Sequence, residues 1–196
     1  MALKTFVKIS GVNNLSDARY CAGMGVNFIG FDLDPESENY TTPEKFKEIS
    51  DWISGVDFVG EFGNSSSQDV IEALSNYTLS AIETTDHGLL ADVHSSQTIL
   101  KVNVEELRSL PLNINSDFLL IQSNNMLSPT QIQEVRARIT RTKVLLDCEV
   151  QAYTVEDLIE TTGAYGISLV AGNEIRPGYK DYDELADILE ALEAED

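Results

Sequence analysis

Lys8-Ile9-Ser10-Gly11-Val12-Asn13-Asn14 carries a short apolar strand into a glycine turn ahead of a helical pattern. A strand that ends in a turn and feeds a helix is the first half of a βα unit, and the chain repeats that rhythm. β-rich apolar runs occupy 6–10, 27–33, 57–63, 79–84, 98–104, 117–123, 143–150 and 165–171, with helical patterns between most of them. This alternation belongs to a parallel sheet, whose neighbouring strands need a crossover connection.

The helices are marked by their caps. Thr42 stands as N-cap before Pro43 at the first helical position, with Phe46, Ile49 and Ile53 on one face. Ser128, Pro129 and Gln131 form a capping box ahead of Ile132, Val135 and Ile139. Tyr182, Leu185, Leu189 and Leu192 share a stripe of the last helix. The connections at 87–96 and 105–111 are too short or too polar for full helices, so the fourth and fifth units are expected to be abbreviated. No linker divides the chain, and 1–196 reads as one domain.

Eight such units most naturally close into a compact (βα)8 barrel of the α/β class, a fold that typically takes about 250 residues. An open doubly wound sheet is the alternative, but Gly11 stands alone where that fold places a glycine-rich phosphate turn. The formal net charge of −20 argues against nucleic acid and anionic membrane surfaces, and leaves a cation or a basic protein partner easier to accommodate. Cys21 and Cys148 make no disulfide framework and have no zinc-ligand spacing, which fits a reducing cytoplasm. There is no signal-peptide pattern and no apolar run near the ~20 residues that span a membrane. No metal-binding loop is visible, and His87 and His94 read as surface residues.

The run from Lys8 to Asn14, followed by Asp17 and Ala18, resembles the opening of phosphoribosylanthranilate isomerase, a barrel enzyme of tryptophan biosynthesis. The likeness continues through 23–31, through Ser37, Tyr40, Pro43 and Glu44, and through Val59, Gly60 and Phe62. It is faint from 79 to 150, and returns at Gly172, Glu174, Pro177, Gly178, Lys180 and Asp181. The resemblance implies a TIM barrel of the ribulose-phosphate-binding type, an Amadori rearrangement of a phosphoribosyl amine, no metal or organic cofactor, and a small sugar-phosphate-like ligand. It also implies an acid that protonates the ring oxygen and a base that removes the C2 proton, both at the C-terminal strand ends.

The chain departs from that pattern where the chemistry lies. Ser10 stands where the family's base is a cysteine; a thiol, which ordinarily titrates near ~8.5, can be tuned into a base, whereas a serine hydroxyl needs a base of its own. By strand count Gln122 replaces the family's acid, an aspartate. In a second register, Leu145-Leu146-Asp147 matches the family's sixth-strand Leu-Leu-Asp and makes Asp147 the acid. Asn39 replaces an arginine before Tyr40, Asp147-Cys148-Glu149 replaces a phosphate-holding glycine pair, and Gly172 alone remains of the family's Ser-Ser-Gly after the last strand. The catalytic candidates are therefore Ser10, Gln122 and Asp147, and the substrate-binding candidates Lys8, Asn39, Gly172 and Arg176, with no metal. These changes point away from the native reaction. They leave open a non-catalytic descendant that binds a partner or small ligand, and a sugar-phosphate isomerase or lyase of changed specificity.

Asp32, Glu61, Glu83, Asp147, Glu149 and Glu174 fall at or near strand ends. The simplest expectation is that they are solvated loop residues; three pointing inward would make the mouth acidic, the wrong sign for a phosphate. Lys8 shares a strand face with Ser10, which allows a lysine inside the barrel, either as a phosphate contact or paired with one of these acids; the cost of an unpaired buried ammonium favours the pairing.

Overall fold

In the computed structural model, which describes residues 2–63, 65–92, 97–171, 174–176, 179–180 and 182–194, all eight apolar runs are parallel strands. They are β1 (Phe6–Ser10), β2 (Phe28–Asp32), β3 (Asp57–Glu61), β4 (Ala81–Thr84), β5 (Gln97–Asn103), β6 (Phe118–Gln122), β7 (Lys143–Asp147) and β8 (Gly166–Val170), closed in chain order. Closure rests on β8 pairing with β1 from Phe6↔Gly166 to Ser10↔Val170, which excludes the open sheet. Gly166 makes that approach possible, because a Cβ there would lie 2.0 Å from the Phe6 carbonyl oxygen. A two-stranded hairpin, β9 (Glu174–Arg176) and β10 (Tyr179–Lys180), follows.

Among the described residues six helices accompany these strands: α1 (Leu15–Gly23), α2 (Pro43–Ser50), α3 (Ser67–Asn76), α4 (Pro129–Arg136), α5 (Val155–Thr162) and α6 (Asp183–Ala191). The expected caps are in place: Thr42 accepts from the Lys45 amide with Pro43 opening α2, and Ser128 and Gln131 close a capping box on α4. As the polar connections foretold, the fourth and fifth units carry only 3-10 turns among the described residues, at Leu89–Asp92 and Val104–Glu106.

Strand periodicity sorts the side chains into two cores. Phe28, Val59, Ala81, Ile99, Phe118, Leu120 and Leu145, with Phe6, fill the barrel. Alternate residues such as Val7, Ile9, Ile29, Leu119, Ile121 and Ile167 form the layer under the helices. Phe6, Phe28 and Phe118 pack edge-to-face or tilted, with ring centroids 4.8–5.5 Å apart, and plug the end where the strands start, which leaves the interior open toward the strand ends.

The abbreviated fifth unit is tied down by Arg138, a buried side chain just past α4. Its Nη1 donates to the Pro111 carbonyl at 2.6 Å, and its Nη2 to the Leu110 carbonyl at 2.8 Å and to the Leu107 carbonyl. The guanidinium thus satisfies carbonyls that a full helix would have bonded itself. Arg138→Met is expected to cost about 3 kcal/mol in urea denaturation, since it takes the donor from one buried and two part-buried carbonyls at once; a change below about 0.5 kcal/mol would contradict this role.

Candidate functional site

At the strand ends the inward positions turn polar. Val59 is followed two residues on by Glu61, Ala81 by Glu83, Ile99 by Lys101, Leu120 by Gln122 and Leu145 by Asp147. With a side-chain period of two, the residue above each core apolar group shares its face, so five strands deliver polar groups to one mouth.

Lys8 lies at the base of this mouth, fully buried, as the strand parity of β1 required. Its ammonium hydrogen-bonds to Glu61 and to Ser10 Oγ (2.5 Å) and pairs with Glu83 Oε2 at 2.7 Å. Glu83 Oε2 is buried, and the Lys8 ammonium is the charge that it faces. Glu61 also accepts from the Gly11 amide at 3.1 Å. Gly30 leaves it the space: a Cβ there would sit 2.1 Å from Glu61 Oε1.

The two carboxyls that share Lys8 respond in opposite directions. Burial pushes Glu61 up, but the Lys8 ammonium and the Ser10 and Gly11 hydrogen bonds outweigh it and hold the carboxyl below its ordinary range. For Glu83 burial wins, helped by the charge of Glu61, and its carboxyl is raised despite Lys8 and Lys101. Burial also works to lower Lys8, yet Glu61 and Glu83 together raise it above an ordinary lysine.

Across the mouth, Lys101 Nζ stands 3.8 Å from Glu83 Oε1 and 4.0 Å from Asp147 Oδ2. Burial raises the Asp147 carboxyl, against the pull of Lys101, Lys8 and a hydrogen bond from Gln122. Asp32 accepts from the Ser37 hydroxyl and from the Asp34 amide at 3.1 Å. Asp32, Asp34, Glu61, Glu83, Lys101 and Gln122 wall a cavity of about 410 Å³ together with the hydroxyl residues Ser37, Thr84 and Thr85. A groove of about 890 Å³ at the opposite end is larger, but strand starts line it and no paired carboxyls converge there.

Two expectations are corrected. The carboxylates are not mainly solvated loop residues: Asp32, Glu61, Glu83 and Asp147 lie on the inward parity and crowd the mouth, while Glu149 is exposed. The second register also fails, because 118–122 forms a strand of its own and Asp147 closes the seventh strand, directly across from Gln122.

Of the other candidates, Ser10 is held between Lys8 and Ser168 Oγ (3.2 Å). Asn39 is exposed on the loop after β2 and does not wall the cavity. Gly172 and His94 lie outside the described residues, as does the side chain of Arg176, whose backbone is in β9; His87 is exposed. The Cys148 thiol is pushed up to about 11 by burial and by Asp147 and Glu149, which leaves it a poor nucleophile. Among the described residues no group of three or more His, Cys, Asp or Glu is placed to hold a metal ion, and no helix is long and apolar enough to cross a membrane. Lys101 and Gly30 were not among the candidates, although the apolar-x-polar ending repeated on five strands is the signal that would have found Lys101.

No protein-family model matches the chain. It is similar to the N-(5'-phosphoribosyl)anthranilate isomerase of Thermotoga neapolitana, 25% identical over 211 residues that cover 90% of this chain and 93% of that protein. The Thermotoga maritima enzyme of the same name is 26% identical over 196 residues, covering 91% and 94%. Among solved structures, a phosphoribosyl anthranilate isomerase in complex with reduced 1-(o-carboxyphenylamino)-1-deoxyribulose 5-phosphate superposes with a TM-score of 0.77 at 22% identity, over 96% of this chain and 98% of that one. The opening motif, the closed eight-stranded barrel and relatives matched almost end to end agree: the chain is similar to phosphoribosylanthranilate isomerases over nearly its whole length.

Proposed function

We propose that the chain is a phosphoribosylanthranilate isomerase-like enzyme, of the kind that serves tryptophan biosynthesis, in which the base has moved from β1 to β3 and the acid from β6 to the adjacent β7. One arrangement carries this reading: Glu61 is held ionised against Lys8 and Gly11, beside Ser10, while Asp147 is raised toward its protonated form across from Gln122. Both positions that the family resemblance makes reactive have lost their group, and each has a carboxyl of the appropriate bias beside it. Environments that push two carboxyls in opposite directions are the pattern of an acid and base pair.

In an Amadori rearrangement, Asp147 gives its proton to the ring oxygen as the C1–O bond breaks and the nitrogen lone pair forms a C1=N iminium. Glu61 then takes the C2 proton, the electrons of the C2–H bond neutralise the iminium, and the enaminol tautomerises to the aminoketose. No redox partner is needed, and protons exchanged with water reset both groups. Lys101, between Glu83 and Asp147, steadies the charge that Asp147 acquires.

Phosphoribosylanthranilate is the first substrate to try, with the loss of its fluorescence as readout and rescue of a tryptophan auxotroph alongside. Turnover supports the reading. Failure with this compound and with simpler ribosylamines at high enzyme concentration sinks it, leaving a barrel that binds without converting, as the loss of the cysteine base to Ser10 and of the acid to Gln122 would then imply.

A further inference from the structure

We infer that Glu83 is a positioning residue: it acts on the base Glu61 through the Lys8 ammonium that both carboxyls hold, and its charge sets how strongly Glu61 draws a proton. This deepens the isomerase reading and rests on it. Glu83 is a buried titratable group that takes no part in the proton transfers themselves. It stands beside Glu61, in register on the neighbouring strand, and turns Oε2 to Lys8 at 2.7 Å and Oε1 toward Lys101 at 3.8 Å. Lys8 is fully buried, and its ammonium donates to Glu61 and to Ser10 Oγ. Among the described residues, Glu83 is the one other carboxyl within ion-pair distance of it.

A single carboxylate is enough to neutralise Lys8, and burying a second one is costly. The charges balance only with Lys101 included: two ammonium groups face Glu61 and Glu83, and Asp147 carries the proton that an acid must have. In that state Glu61 holds Lys8 jointly with Glu83 and lies beside a like charge, so it gains more by taking a proton. Once Glu83 is itself protonated, Lys8 pairs with Glu61 alone, and the close ion pair makes Glu61 a weaker base. The other groups around Glu61 are the Ser10 hydroxyl and the Gly11 amide on β1, Asp32 in register on β2, and Asp147 across the mouth.

The test is an NMR titration of the intact chain with carbon-13 at the glutamate side-chain carboxyls, the Glu61 signal being assigned by its loss in Glu61→Gln. Burial places the Glu83 titration above the ordinary glutamate range, whereas for Glu61 burial is outweighed by Lys8 and the titration lies below it. The Glu61 signal is therefore expected to move in two steps, the upper one as Glu83 takes up its proton. Running the titration in Asp147→Asn as well keeps the other raised carboxyl of the mouth from being mistaken for Glu83. Glu83→Gln should abolish the upper step, and Glu83→Asp should keep it. With a substrate that is turned over, Glu83→Gln should lower kcat roughly tenfold with KM unchanged, and Glu83→Asp should recover most of the rate. A one-step Glu61 signal in the parent, which requires no variant to fold, overturns the inference, as does an upper step or a kcat undiminished in Glu83→Gln. A two-step signal without turnover of any substrate fells the isomerase reading and leaves the coupling in place; turnover with a one-step signal does the reverse.

Discussion

Lys8→Met is expected to lower stability by about 3–5 kcal/mol at neutral pH, the usual cost of removing one partner from a buried ionic cluster. For a chain of this size that corresponds to a melting temperature lower by roughly 10 °C. The cause is what remains behind: Glu61 and Glu83, both walled in, lose the ammonium that touches both. The effect should depend on pH with a definite sign. Glu61 is depressed in the folded state, so its pairing with Lys8 contributes stability above its unfolded pKa and loses it as pH falls through the folded value. The penalty of Lys8→Met therefore shrinks on acidification, where both carboxyls take up protons in either protein. The triple variant Lys8→Met/Glu61→Gln/Glu83→Gln should recover most of the loss at neutral pH, because it removes the orphaned charges. A single variant as stable as the parent, or a triple variant no better than the single, would mean that the cluster does not hold the mouth together.

Asp147→Asn is expected to reduce kcat by about a hundredfold to ten-thousandfold, the range for loss of a general acid, with little change in folding stability. Asp147 is raised by burial against the opposing pull of Lys101, Lys8 and Gln122, so activity should fall as pH rises through that raised value. On the acid side, activity should fall only below the ordinary glutamate range, because Glu61 is depressed. The result is an acidic optimum bounded by two carboxyls, and Asp147→Asn should remove the alkaline limb along with the rate. Rate profiles of parent and variant check this; an unchanged alkaline limb in Asp147→Asn would take the acid role from Asp147.

The barrel was legible because its signals are local and repeated. Apolar runs, caps at Thr42 and Ser128, and the two weak connections each came from a few adjacent residues, and each corresponds to an element or a 3-10 turn. The buried Lys8 was legible in part: it shares a face with Ser10, so it points into the barrel if Ser10 does, and the structure buries it there. What the sequence withheld was the absolute parity of the other strands. Whether Glu61 and Glu83 face water or the interior depends on which neighbours plug the barrel, and Phe6, Phe28 and Phe118 meet only after closure. Gly30 and Arg138 were hidden for the same reason: the carboxyl that Gly30 makes room for lies on the adjacent strand, and the carbonyls Arg138 satisfies are 27 to 31 residues away.

The most direct test of the relocated acid and base is the fate of the C2 hydrogen. N-ribosylmethylamine and phosphoribosylanthranilate, each carrying deuterium at C2, would be incubated with the chain and followed by NMR. Proton abstraction by Glu61 predicts ketose product formed more slowly from the deuterated than from the unlabelled compound, and almost no product from either in Glu61→Gln. Equal rates for the two isotopes together with undiminished product in Glu61→Gln, or no product from either compound with the parent chain, would contradict it.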